Sequence, residues 1–291
     1  MLVERDFVPP GPYRMPTAGR DGLLRRRDGA LVRLLHHEDE PVTVRAWPVP
    51  GAVRVTADAA TPDARAYGVD RMRFALGLDH DITPFLRKFK WDPLIGPVIR
   101  RRPWLRPRRR PEPFEALAWA VCEQLIDGER ATEIQRRLIR RFGRRSRCGT
   151  LRDAPTADGL ARRAHAEIEG CGLAAKRATA LRRASHEVAT GRADLHDAER
   201  DRVWARLRAI PNIGSWTIDC LAFHGQGDDD MLPALDLAYV KLVGRLAGLG
   251  RRATEEEVRE FFAPYEPYRG LAGLYALNAV MLGLHLRTWR A

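Results

Sequence analysis

The residues of this 291-residue chain best placed to do chemistry gather between Leu207 and Lys241, in LRAIPNIGSWTIDCLAFHGQGDDDMLPALDLAYVK. A helical run (Val203, Leu207, Ile210) stops at Pro211, Gly214 permits a tight turn, and a second apolar helix starts at Ser215 or Trp216. So short a hairpin leaves the first N–H groups of the second helix uncapped and pointing outward together. Such a nest favours an anion, with phosphate the obvious candidate. Twenty-two residues past Gly214, Asp236 is a lone carboxylate among Leu232, Pro233, Leu235 and Leu237, where a further helix should begin. Taken singly, Gly214 reads as a helix-ending glycine and Asp236 as an N-cap; the combination is far more specific than either.

Other chemistries have less to draw on. The lysines are Lys88, Lys90, Lys176 and Lys241, and arginine cannot supply the deprotonated amine that a Schiff base needs. Cys122, Cys148, Cys171 and Cys220 form no CxxC pair, so zinc-finger spacing is absent, as is a clustered four-cysteine set for an iron–sulfur centre. No metal site is expected, and the thiols read as reduced and mostly buried. The net charge of +12 favours a polyanionic partner. Without an apolar signal segment or a run approaching the roughly 18 apolar residues of a membrane span, that partner is nucleic acid before lipid, in the cytoplasm and associated with the nucleoid.

The elements that must position these residues divide into three stretches. Residues 1–80 read as a small α+β domain: strands over 31–35, 41–47 and 52–57, then a helix around 63–78 with a strand over 71–78 as the alternative, and 1–20 ordered only by contact. Residues 81–112 form a basic transition segment. It holds seven arginines within Arg100–Arg110, either a solvated linker or a phosphate-contacting arm. Residues 113–291 are all helical, beginning with the stripe Phe114, Leu117, Ala118, Val121, Cys122 and Leu125. Later helices are expected at 131–142, 156–168, 174–189, 198–208, 215–224, 236–247, 254–262 and 269–286, with Thr254 and Glu257 as a capping box. The fold class is mainly α with an N-terminal antiparallel sheet.

A helix, the Ile-Pro-Asn-Ile-Gly hairpin (about 199–225 with its helices), Trp216-Thr217, then Leu235-Asp236-Leu237 resembles the helix-hairpin-helix superfamily of DNA base-excision glycosylases. Trp216 is similar to the DNA-3-methyladenine glycosylase II branch; bifunctional members such as endonuclease III carry a lysine there. The resemblance covers roughly residues 80–290 and implies that a damaged nucleotide is flipped out of double-stranded DNA into a pocket. Asp236 would then stabilise the oxocarbenium-like sugar and orient or deprotonate water. An alkylated base is already cationic and leaves without acid help; Trp216 and Tyr268 are the implied pocket walls. Asn212, Ile213, Gly214, Ser215 and Thr217 are the implied DNA-binding hairpin, Gln124 faces the gap left by the flipped nucleotide, and Lys176 meets a phosphate. Leu125 is core by its stripe and a wedge in the duplex by resemblance.

Departures accompany the likeness. Asn212 stands where the family has glycine, Cys220 where some members have an aromatic, and Tyr268 where a tryptophan stacks. The expected protein is a monomeric, monofunctional glycosylase without a cofactor, a monovalent cation at the hairpin being left open. A non-enzymatic DNA-binding protein and, through Lys241, a glycosylase/lyase are the alternatives.

Overall fold

The computed structural model describes residues 2–284. Its N-terminal region is a sheet, because short β-branched runs with period two bury one face against a helix. Strands β1 (Leu2–Phe7), β2 (Arg25–Arg27), β3 (Ala30–His37), β4 (Glu40–Val49) and β5 (Ala52–Asp58) are antiparallel in the order β1-β5-β4-β3-β2. Helix α1 (Pro62–Leu76) covers the face that carries Leu31, Val42, Val44 and Val55. Thr61 caps it by accepting the Ala64 N–H at 3.3 Å. Gly68 lets the two layers approach: a Cβ there would stand 2.5 Å from Val42 Cγ1.

Residues 2–7 are not merely draped on the protein. They form an edge strand in register from Leu2↔Asp58 to Phe7↔Val53. Its charges hid it from the periodicity, yet they are paired: Arg54 donates to Asp6 at 2.8 and 2.9 Å and meets Glu4 at 2.8 Å. Charge on an exposed edge also discourages unwanted strand pairing.

The remainder is helical: α2 (Thr83–Phe89), α3 (Gly96–Arg101), α4 (Pro113–Glu123), α5 (Gly128–Phe142), α6 (Ala157–Ala161), α7 (His165–Glu169), α8 (Ala175–Ala189), α9 (Arg200–Arg208), α10 (Ser215–Cys220), α11 (Leu237–Leu246), α12 (Glu255–Phe262) and α13 (Arg269–Met281). The single helix expected over 156–168 is broken, since Ala164 is extended and restarts the chain as the N-cap of α7. Helix α10 runs into a π turn at Leu221–Gly225. The capping box at Thr254 and Glu257 is present. Residues 285 and 286 of the expected last helix lie outside the described residues.

Two helical cores result. Leu117, Trp119, Leu138, Leu181 and Leu207 join α4, α5, α8 and α9. Phe85, Ile95, Val243, Phe262 and Tyr275 join α2 and α3 to α11, α12 and α13, so residues 82–99 belong to the body of the C-terminal helices.

The arginine-rich stretch is neither a solvated linker nor a free arm. Six of its seven arginines end on protein acceptors: Arg100 on Lys90 O, Arg102 on Asn278 Oδ1, Arg106 on Pro10 O and Pro12 O, Arg108 on Thr17 Oγ1, Arg109 on Asp229 Oδ1, and Arg110 on Asp21 Oδ2. It is a strap that fastens the segment before β2 to the helical body. Behind it, the buried Arg33–Glu115 pair, at 2.5 Å, ties β3 to α4.

Candidate active site

Three turns meet at one face. The first is the hairpin between α9 and α10. Val203 and Leu207 bury α9, and Ile210 and Ile213 are buried on either side of the turn, which is closed by the Ile213 N–H on Ile210 O at 3.0 Å. The left-handed residue is Asn212, at φ 69°, a conformation that asparagine tolerates. Gly214 has φ −101° and is not what the turn's conformation requires. Its effect is steric: a Cβ there would meet nothing within 4 Å, and as N-cap it offers no side chain to α10. The first N–H groups of α10 are therefore open to an approaching acceptor.

The second turn follows α4, which ends at Glu123, two residues short of the last member of the stripe, Leu125. Gln124 has φ −56° and ψ 126°, and Leu125 has φ 57°. Leu125 consequently leaves the core altogether and is fully exposed. Gln124 does not point outward. Its Nε2 donates to Asn212 O at 2.8 Å and to Thr217 Oγ1 at 2.9 Å, locking the leucine turn to the hairpin. Arg177, which the sequence reading passed over for its neighbour Lys176, donates to Cys122 O at 3.2 Å and Gln124 O at 3.1 Å. It satisfies carbonyls that the end of α4 leaves free. Lys176 itself is exposed on the first turn of α8.

The third turn carries Asp236, the N-cap of α11, whose Oδ1 accepts the Ala238 N–H at 2.8 Å. Trp216, half-buried on α10, donates its indole N–H to Asp236 Oδ2 at 3.3 Å. Both oxygens thus accept N–H groups, the bonding pattern of a carboxylate. Asp236 is half-buried between the exposed Leu235 and Leu237. Ser215 donates to Glu255 Oε2 at 3.2 Å and is turned towards α12. On the same helix, burial pushes the Asp219 carboxyl up to about 6, against the Arg259 guanidinium 2.8 Å away.

Tyr268 sits at the N-cap of α13 with its ring edge-on to Phe85, centroids 5.7 Å apart, within the C-terminal core. Lys241 is exposed on α11. Buried around Asp236 are groups that its charge reaches: burial, then the Glu123 and Asp236 carboxylates, push the Cys220 thiol well up, and burial pushes the His224 ring down to about 4. Glu123, to which the sequence reading assigned no role, closes α4 and lines a cavity of about 820 Å³ under the strap. Among the described residues, no group of three or more His, Cys, Asp or Glu could hold a metal ion, and no helix is long and apolar enough to cross a membrane.

A helical body with an open hairpin, a leucine turn locked to it and a fixed carboxylate opening the next helix defines a helix-hairpin-helix protein with an acid at its mouth. The chain belongs to the HhH-GPD superfamily of base excision DNA repair proteins, whose profile matches residues 118–267, just over half of it. It is 24% identical over 208 residues to the DNA-3-methyladenine glycosylase of Bacillus subtilis, spanning 68% of this chain and 67% of that protein. It is 30% identical over 267 residues to the "Probable bifunctional transcriptional activator/DNA repair enzyme AlkA" of Mycobacterium tuberculosis. That alignment spans 86% of this chain but half the length of the relative. The fold is shared with the 3-methyladenine DNA glycosylase of Archaeoglobus fulgidus, at a TM-score of 0.74 and 20% identity over 89% of each chain.

Proposed function

We propose that the protein is a monofunctional DNA glycosylase that hydrolyses the N-glycosidic bond of alkylated purines in double-stranded DNA. The observation that carries this reading is the Trp216–Asp236 hydrogen bond, because it fixes the Asp236 carboxyl against the hairpin helix. The open N–H groups of α10 hold a phosphate of the damaged strand, and the exposed Leu125 fills the space left when the nucleotide swings out. As the bond to the base lengthens, positive charge grows at C1′. Asp236 opposes that charge and takes a proton from the attacking water. A base alkylated on a ring nitrogen leaves as a neutral molecule, so its departure needs no acid.

The aromatic face of Trp216 attracts such a cationic base by roughly 0.5–2 kcal/mol. No amine is present at Trp216, which favours water over a Schiff base as the nucleophile. Purified protein incubated with methylated duplex DNA should release free methylated purines and leave abasic sites, and borohydride should trap no covalent adduct. Binding without release of base would refute the enzyme reading, and a trapped adduct would refute the monofunctional one.

A further inference from the structure

The strap that fastens the N-terminal segment to the helical body also roofs the cavity of about 820 Å³, which neither Asp236 nor Trp216 lines. Eight arginines reach its wall from residues 14–26, β3 and the strap, against two acids, Asp21 and Glu123. The acids do not offset them. Asp21 is taken up by Arg110 at 2.7 Å and the Trp119 indole at 3.2 Å, and burial raises the Glu123 carboxyl, which favours its neutral form. Arg33, Arg109 and Arg110 meet carboxylates, whereas Arg14, Arg20, Arg26, Arg106 and Arg108 form no ion pair among the described residues. Two donors on the wall are also unmatched. The Arg33 and Arg109 side chains are only 4% and 8% exposed, and the Nε of each is buried without a hydrogen-bond partner among the described residues. A guanidinium N–H held out of water costs free energy until it meets an acceptor. Burial foremost, with the Arg109 charge adding, disfavours the charged form of Arg106, although Tyr13, Tyr275 and Asp81 act the other way.

We propose that this cavity, separate from the mouth, is a binding site for a small phosphate ester that carries a flat ring, of the class of a nucleoside monophosphate. Guanidinium forks match the oxygens of a phosphate, and the dianion supplies the acceptors that Arg33 Nε and Arg109 Nε lack. The ring has a place as well. Tyr13, Met72, Leu76 and Trp104 give the cavity an apolar side. Two of these aromatic faces already take cations, Arg14 lying 5.8 Å from the Trp104 ring and Arg106 5.3 Å from the Tyr13 ring. A space of this volume falls within the roughly 300–1,000 Å³ of small-molecule sites and is larger than phosphate alone fills. Bound there, the ester joins residues 13–21 to the strap and β3, and by mass action stabilises the joint between the sheet and the helical body.

The test is calorimetric titration of the whole protein with AMP, inorganic phosphate and adenosine at about 0.15 M salt. AMP should bind at one site and more tightly than phosphate, and adenosine should not bind. Arg109→Lys keeps the charge but removes the Nε–H and the fork, and should weaken AMP binding about tenfold or more. Gly214→Glu sets a carboxylate before the open N–H groups of α10, the other place for a phosphate, and should leave AMP affinity unchanged. Absence of AMP binding at millimolar concentration, equal affinity for AMP and phosphate, or undiminished binding by Arg109→Lys would overturn the site. Loss of binding in Gly214→Glu would put the anion at the hairpin and overturn it too. Should Arg109→Lys fail to fold by circular dichroism, Arg14→Gln with Arg20→Gln, both at exposed positions, decides the question. Weakening of roughly threefold supports the site, and unchanged affinity overturns it.

Discussion

Two regions of the molecule make opposite use of what they carry. Along the strap, guanidinium groups are turned inward and end on backbone carbonyls and carboxylates, as Arg106 does on Pro10 O and Pro12 O and Arg110 on Asp21. At the mouth, apolar side chains are turned outward: Leu125, Leu235 and Leu237 face solvent around a half-buried aspartate. On the proposed function, density of positive charge therefore does not mark the working surface. Exposed leucine on left-handed backbone marks it better, because such a residue gives up burial and takes on strain with no return inside the fold.

The largest effect that would break this contrast belongs to the mouth. Asp236→Asn should lower base release roughly 100- to 1000-fold while abasic DNA still binds, as measured by single-turnover cleavage and titration. Undiminished release would move the chemistry elsewhere. Next comes the charge buried behind the mouth. The Asp219 carboxyl is raised to about 6 in the fold, so its contribution to stability is present below about pH 4 and is lost as pH rises to about 6. The loss is about 3 kcal/mol, and Asp219→Asn should flatten that window of a urea-midpoint profile. Stability that rises across pH 4–6 because of Asp219 would contradict the burial seen.

The strap should answer differently. Arg106→Ala removes charge-assisted bonds to carbonyls and should cost about 2 kcal/mol of stability, with the salt dependence of DNA binding unaltered. A salt slope reduced by about one would instead make Arg106 a phosphate contact. The smallest effect is at Leu125, which buries nothing. Leu125→Ala should leave the melting temperature within the scatter of a surface change, about 0.5 kcal/mol, yet slow base release on the order of tenfold. A clear loss of stability would mean that the leucine belongs to the core after all.

Much of the fold could be read because it rests on period and capping. The alternation of 41–47 and 52–57 appears as β4 and β5, and Thr254 with Glu257 as the start of α12. Strand β1 escaped because Glu4, Arg5 and Asp6 interrupt the apolar pattern, and the pairing of Glu4 and Asp6 with Arg54 exists only across strands. Leu125 fell in phase with α4, but phase says nothing once the helix has ended at Glu123. Asp236 and Trp216 were singled out through a family likeness; their hydrogen bond joins residues twenty apart and follows from no local rule. Arg177 and Glu123 lie in stretches that could be singled out, but nothing local gives them a role, since one acts on the carbonyls of another helix and the other lines a cavity that three segments enclose.

The side-chain amide of Gln124 holds two loops at a set separation, through Asn212 O and Thr217 Oγ1. A calliper whose jaws are pinned cannot adjust to what it grips, so any mismatch in span is made up by bending the object. Duplexes that already yield easily at a mispair or a weakly stacked step should then be gripped first, before the chemistry of any single base is tried.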